Sequence, residues 1–446
     1  MLISFHNKIF TYAAFAYIIV ALFCFNTGFN YPSAISTTTF FSYFFIIYYS
    51  LDHNEKYYSN SRLFLTVIIY SSIIMCLFWA VSLSIDGDTF LFSKLDAKNY
   101  EKYSMEIIQR PFFEGFEYIF NKLNFDDCGA FFVMTPILRI IPNKIFLNFC
   151  YVIIGGITSI ALFNTGKRIM ETKYAYLAAL SFSIASYTIY FHGTFLKESG
   201  FIMFVVLLFN SLYKCIDENR IVSMTYVVLY SIIICFFRPA VVVLIWLGII
   251  IYFYLENKGA TKLLISITIL FIFMISIASI ITIFNRYTVN GDISFIISRM
   301  ENDRLPGFSN NILYALGFIG GLLGPFPTII STTDNIRSSF YGPGLLYKLF
   351  LNIPFWYAVW IIIKEKVYYM IPMLLFIVLE SITASIARKG FEFRLTYPHI
   401  AMLMLISYWC FYTISDSSEK QQQIKTISRF AFPVCFIITF FYGILR

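Results

Sequence analysis

Long apolar runs and short polar breaks alternate along almost the whole chain. Apolar runs fall near residues 9–29, 33–51, 63–85, 144–163, 175–192, 200–213, 221–237, 239–256, 262–284, 367–386, 397–414 and 429–445. An α-helix rises about 1.5 Å per residue, so about 20 apolar residues cross the hydrocarbon core of a bilayer. Two further stretches, 312–332 and 345–363, are apolar but broken by Gly and Pro. Glycine-rich backbone such as ALGFIGGLLGPFP is tolerated at membrane depth only where it is buried in protein or lines a cavity. The pattern predicts an all-α, polytopic transmembrane bundle of roughly 11–14 spans, with one of the two broken stretches re-entrant. The bundle reads as one integral membrane domain over residues 1–446. The first run, after Lys8, ends in FNTGFNYPS without a small-residue cleavage site, which predicts a retained helix and not a signal peptide.

One stretch breaks the alternation. Residues 86–128, DGDTFLFSKLDAKNYEKYSMEIIQRPFFEGFEYIFNKLNFDDC, hold nine acidic and five basic side chains, a net charge of −4. Within it, Asp96–Gln109 has helical spacing, with Tyr100, Tyr103 and Ile107 on one face and Lys98, Glu101, Lys102 and Glu106 largely on another. Pro111 ends or kinks that helix, and a second amphipathic piece, FFEGFEYIFNKL, follows. Helices of this kind lie in the membrane interface. The next segment, AFFVMTPILRIIP, is too short and too proline-broken to predict a span.

Composition settles the class. Hydrophobic residues make up 59% of the chain and charged residues 13%, which excludes an ordinary soluble domain. Basic residues near span ends set the orientation. Lys167, Arg168 and Lys173, then Lys214 and Arg220, then Lys258 and Lys262 fit the cytoplasmic side. Counting spans from them places loop 86–128, Lys197–Glu198, Arg238 and loop 286–311 on the outer side. The polar stretch SDSSEKQQQIKTISR then reads as a cytoplasmic loop. The eight cysteines and four histidines are scattered, and no pair has zinc-ligand spacing. There is no P-loop, no GxGxxG after a strand, no HExxH and no GxSxG. A nucleotide-fuelled pump and a membrane metalloprotease are therefore unsupported, and no nucleic-acid partner is expected.

Candidate chemistry lies where charge meets an apolar run. Asp96 opens LDAKNY: it reads either as a helix N-cap or as a carboxylate aimed into an outward cavity, a general base for an acceptor hydroxyl. Asp86 and Asp88 compete for that role from the end of a span, where the alternative is a solvated helix end. Lys197–Glu198, between two apolar runs, is either a solvated turn or a phosphate contact. Arg238 precedes Pro239 between two apolar runs, where it either snorkels to a lipid headgroup or binds phosphate bidentately. In ARKGFEFR, Arg388, Lys389 and Arg394 are a positive-inside anchor if cytoplasmic. Facing outward, they complete a basic set with Lys197, Arg238 and Arg304. No paired broken helices occur at matching positions in two halves, which weighs against a secondary transporter.

The layout resembles bacterial polytopic enzymes that build surface polysaccharide on polyprenyl carriers. Asp86, Asp88 and the Asp96–Tyr100 element resemble the first outer loop of GT-C type membrane glycosyltransferases. Lys197–Glu198, Arg238–Pro239, Gly324–Pro327 and the Arg394–Pro398 element are similar to features of O-antigen polymerases (Wzy- and EpsG-like). The resemblance implies a GT-C-like enzyme of the bacterial inner membrane. It would transfer glycan from an undecaprenyl (pyro)phosphate donor to a glycan acceptor at the periplasmic face, alongside other polysaccharide-assembly proteins. It implies Asp96, Asp88 or Asp86 as base, with Tyr100, Lys197, Glu198, Arg238, Arg304, Arg388 and Arg394 binding phosphate or glycan. In some GT-C enzymes acidic loop residues bind a divalent metal, so Mg or Mn at Asp86, Asp88 and Asp96 stays open. The alternatives are a single-sugar GT-C transferase and a flippase or transporter of lipid-linked glycan.

Overall fold

The computed structural model describes residues 2–27, 31–122, 127–218, 221–256, 324, 336–388 and 393–445. All regular structure among them is helical. The helices are α1 (Leu2–Thr27), α2 (Tyr31–Tyr49), α3 (Asn60–Asp86), α4 (Lys94–Ile108), α5 (Phe112–Lys122), α6 (Cys128–Ile140), α7 (Lys144–Gly166) and α8 (Thr172–Ser183). They continue as α9 (Ser186–Gly193), α10 (Glu198–Glu218), α11 (Ile221–Cys235), α12 (Pro239–Glu256), α13 (Ile336–Lys364), α14 (Ile371–Arg388), α15 (Phe393–Ile414) and α16 (Ser418–Leu445). Five of the described segments, in α3, α7, α10, α12 and α13, are long and apolar enough to cross a membrane. This is a helical membrane protein. The two amphipathic pieces of the first loop form α4 and α5, with Arg110 and Pro111 between them.

The chain divides into two compact units. The first comprises residues 1–239, 326–359 and 400–446; the second comprises 240–325 and 360–399. In the first unit α7 packs against α3, α8 and α10, and α10 in turn packs against α11. Local sequence sets the ends of these helices. Asn143 Oδ1 caps α7 by accepting from the amides of Ile145 (2.7 Å) and Phe146 (3.3 Å). Gly87, at φ +71°, closes α3 in the left-handed region that glycine adopts without strain. A glycine inside a helix costs about 1 kcal/mol relative to alanine, so Gly155–Gly156 in the middle of α7 needs a packing reason. A Cβ on Gly155 would collide with the His192 imidazole of α9, and one on Gly156 would lie 2.7 Å from the Phe64 ring of α3. The bare backbone brings α7 close to both neighbours.

Buried hydroxyls in this unit are tied together. His6 Nε2 lies 2.8 Å from the Tyr347 hydroxyl, which is 2.6 Å from the Tyr408 hydroxyl. Tyr408 reaches Ser181 Oγ at 2.8 Å, and Tyr43 donates to the Ser181 carbonyl at 2.9 Å. The network links α1, α2, α8, α13 and α15, and gives polar groups in an apolar interior the partners they need. In the second unit, Gly248 of α12 packs on the backbone of Pro372 in α14. Glu380 of α14 and His399 of α15 form a buried pair at 3.2 Å.

Three elements differ from the sequence pattern. The run 175–192 is not one helix but two, α8 and α9, broken at Ile184–Ala185. Thr188 Oγ1 donates to the Phe182 carbonyl (2.8 Å), and Ser186 Oγ accepts the amide of Gly344 (2.9 Å). A chain neighbour from far in sequence thus occupies the break. The stretch 345–363 is not interrupted: it lies inside α13, which carries Pro343 and Pro354 within it. Proline removes one intrahelical bond, and membrane helices tolerate this where neighbours satisfy the exposed backbone. Here Ser407 Oγ donates to the Leu351 carbonyl, one residue after the Phe350 carbonyl that Pro354 leaves without its helical donor, at 3.1 Å. The polar stretch before residue 429 is not a loop but the first part of α16. Gln423 Nε2 reaches back to Glu419 (3.2 Å) and Gln423 Oε1 accepts from Tyr357 (2.8 Å), so its polar groups are satisfied on the helix. The predicted span 262–284, loop 286–311 and nearly all of stretch 312–332 lie outside the described residues.

Candidate functional site

The turn between α9 and α10 carries Lys197 and Glu198 into the interior of the first unit. It is held from behind. The Gly193 carbonyl, at the end of α9, accepts from Trp79 Nε1 of α3 and Asn148 Nδ2 of α7, each at 3.0 Å. From the preceding residue, His192 Nδ1 lies 2.9 Å from Ser199 Oγ of α10. These contacts fix where α10 begins. Lys197 is then 7% exposed and Glu198 fully buried. A buried charge is costly unless paired, and both are paired.

Lys197 Nζ meets Asp127 Oδ1 at 2.6 Å and also points at the Phe237 carbonyl at 3.4 Å. Glu198 Oε1 meets Arg238 Nη2 at 3.3 Å. The Arg238 guanidinium also lies over the Phe201 ring, one turn along α10, at 5.1 Å. Tyr100, on α4, donates its hydroxyl to the same Asp127 oxygen at 2.5 Å. A backbone clamp brings the parts together. The Gly129 amide, at the start of α6, donates to the Phe236 carbonyl at 2.8 Å, and Gly129 leaves no room for a Cβ against the Phe237 ring. Asp127 and Arg238, far apart in sequence, are therefore delivered to the same corner.

The structure thus joins four residues singled out from sequence, Tyr100, Lys197, Glu198 and Arg238, and adds Asp127. Asp127 was legible only as one of nine loop acids. Its partner Lys197 lies 70 residues on, and the local signal was Gly129, two residues along, which lets α6 dock. Asp96 is exposed in the first turn of α4. It is not the N-cap, which is Ser93. Residues four apart share a helix face, so Asp96 stands one turn from Tyr100. Asp88 Oδ1 accepts the Phe90 amide (2.9 Å) and its other oxygen faces Lys98 (3.4 Å), which ties down the turn before α4. Asp86 is the last residue of α3. Arg388 ends α14 and Arg394 lies in the first turn of α15, with side chains beyond the described atoms; Arg304 lies outside the described residues.

The loop helices that present Tyr100 are braced. Tyr118 of α5 donates to Glu106 of α4 at 2.7 Å, and that hydrogen bond raises the phenol above its ordinary pKa. Arg110 lies over the Tyr118 ring at 4.3 Å, and Arg139 of α6 donates to the Ile107 and Arg110 carbonyls at 3.2 and 2.8 Å.

Chemically, the corner sets two cations beside two carboxylates, with a phenol at one edge. Each cation can trade its carboxylate for a phosphate oxygen without leaving the site. Among the described residues no three His, Cys, Asp or Glu side chains come together, and Asp88 is engaged by an amide and a lysine. No protein-family model matches the chain, and no curated protein matches it.

Proposed function

We propose that the protein is a multi-pass glycosyltransferase or polymerase of surface polysaccharide, GT-C-like in plan with roughly 11–14 spans. It works in the bacterial inner membrane on an undecaprenyl (pyro)phosphate-linked glycan at the outer face. The observation that carries this reading is the two partly buried ion pairs, Lys197–Asp127 and Arg238–Glu198, held side by side at one end of the spanning helices. Intramembrane charges are expensive and mark substrate paths. Lys197 and Arg238 receive the donor phosphate. Asp127 Oδ1 already holds two donors, so it orients Lys197 and Tyr100. Asp96, exposed one turn from Tyr100, takes the proton of the acceptor hydroxyl. The acceptor oxygen bonds to the anomeric carbon, the bond from that carbon to the phosphate oxygen breaks, and the lipid (pyro)phosphate leaves onto Lys197 and Arg238.

The exposed position of Asp96 also favours the single-sugar transferase, which depends on first-loop acids. A flippase needs cations along a path between faces, whereas these cations cluster at one end. The test is a gel of surface polysaccharide from the host with the wild-type gene or with Lys197→Met, Arg238→Ala or Asp96→Asn. Each variant is expected to lose at least about a hundredfold in product while still reaching the membrane. Loss of a ladder to a single repeat unit identifies a polymerase, and a full ladder of altered mobility identifies a side-branch transferase. Wild-type product from all three variants defeats the site. Purified protein that forms no product from a lipid-linked donor defeats the enzyme.

A further inference from the structure

A second feature lies at the opposite end of α3 from Asp86. Between α2 and α3 runs an open groove of about 660 Å³. Ser59, Ser61, Arg62 and, one turn on, Thr66 line one end, and Arg62 is the one charged residue in its lining among the described residues. Leu65, Ile69 and Ile73 of α3, with Ile46 of α2, line the rest. Tyr70 forms part of the wall, and its hydroxyl is turned to α2, at 3.0 Å from Ser42 Oγ and 3.4 Å from the Thr39 carbonyl. The groove is therefore polar at one end only.

That end is arranged for an anion. The Arg62 guanidinium stacks on the Tyr57 ring at 4.0 Å, which holds its plane while leaving its N–H edge available. Arg62 makes no ion pair among the described residues. Its position in the first turn of α3 adds the positive end of the helix dipole. The apolar part has a matching length. Arg62 and Ile73 are 11 residues apart on one helix. This is about 16 Å, close to the half-thickness of a hydrocarbon core of about 30 Å. One cationic end and one leaflet's depth of apolar wall fit a single lipid, not a free ion and not a chain that crosses both leaflets.

We propose that this groove binds one anionic glycerophospholipid of the surrounding bilayer. Its phosphate sits on Arg62 with the hydroxyls of Ser59 and Ser61, and one acyl chain lies along Leu65, Ile69 and Ile73. The site serves the leaflet opposite the Lys197–Arg238 corner and does not depend on the proposed transfer reaction.

The test is native mass spectrometry of the full-length protein in mild detergent, with phosphatidylglycerol and phosphatidylcholine supplied in equal amounts. Wild type is expected to retain phosphatidylglycerol in preference to phosphatidylcholine. Arg62→Gln is expected to lower phosphatidylglycerol retention about tenfold, the worth of one charge-assisted contact, while Arg62→Lys keeps part of it. Ile69→Trp, at a side chain that is 58% exposed and so free of folding constraint, fills the groove and lowers retention of both lipids. Equal retention of the two lipids by wild type, or undiminished phosphatidylglycerol on Arg62→Gln, overturns the proposal. Displacement of the lipid by millimolar inorganic phosphate also overturns it, because it would show a site for the anion alone.

Discussion

Lys197 is useful to the protein only while Asp127 is present. Removing one partner of a buried pair leaves an uncompensated charge, at a cost of about 3–5 kcal/mol, whereas replacing both with apolar groups is often neutral. Asp127 is 27% exposed on its side chain, so water returns part of that cost. Asp127→Asn is expected to destabilise by about 3 kcal/mol, and Asp127→Leu combined with Lys197→Met by much less. Thermal unfolding of wild type, Asp127→Asn, Asp127→Leu, Lys197→Met and the double variant in one detergent checks this; simple addition of the Asp127→Leu and Lys197→Met effects would show that the pair is not coupled. The same geometry explains what the sequence disclosed. Lys197, Glu198 and Arg238 stood out because each interrupts apolar sequence, where a charge needs a reason. Asp127 sits in a polar loop where charge is ordinary, and what marks it is a tertiary contact to Lys197.

At the scale of the element, the contact of α7 with α9 turns on one missing Cβ. Gly155→Ala places a methyl group on the His192 imidazole, and overpacking of this kind costs about 1–3 kcal/mol. The added strain is expected to shift α9 and hence Ser199 and the start of α10, since His192 holds Ser199 at 2.9 Å. Gly155→Ala should therefore lower both stability and product formation. Adding His192→Ala should recover part of the stability but not the product, because space returns while the Ser199 contact does not. Recovery of both would show that His192 has no part in placing Lys197 and Glu198. The loop helices α4 and α5 were legible because amphipathic spacing is local. The break between α8 and α9 was not, because Ser183, Ala185 and Ser186 are unexceptional in a helix and the cause, Gly344, lies 158 residues away. Likewise Pro354 reads as a break until Ser407 is seen beside Leu351.

For the first unit as a whole, charge marks both ends of the same helices. The N-terminal end of α10 carries Lys197 and Glu198 against Asp127 and Arg238. At its C-terminal end, Asp217 and Glu218 hold Arg168, from just beyond α7, at 2.8 and 3.0 Å. α10 has 21 residues, which at about 1.5 Å per residue matches a hydrocarbon core of about 30 Å. The two charged ends therefore face opposite sides of the membrane. Basic residues collect on the cytoplasmic side, and Arg168 at the second end has Lys167 beside it in sequence, with Lys173 five residues on and Lys214 near the end of α10. The proposed function requires the Lys197 corner and the loop helices to face outward. Single cysteines at Asn99, exposed on α4, and at Lys214, in the last turns of α10, report this directly in a background without the eight native cysteines. A membrane-impermeant maleimide added to intact spheroplasts is expected to label position 99 and to reach position 214 only after lysis. The reverse pattern would put the charged corner on the cytoplasmic face, and the donor would then have to be a lipid-linked sugar before its translocation.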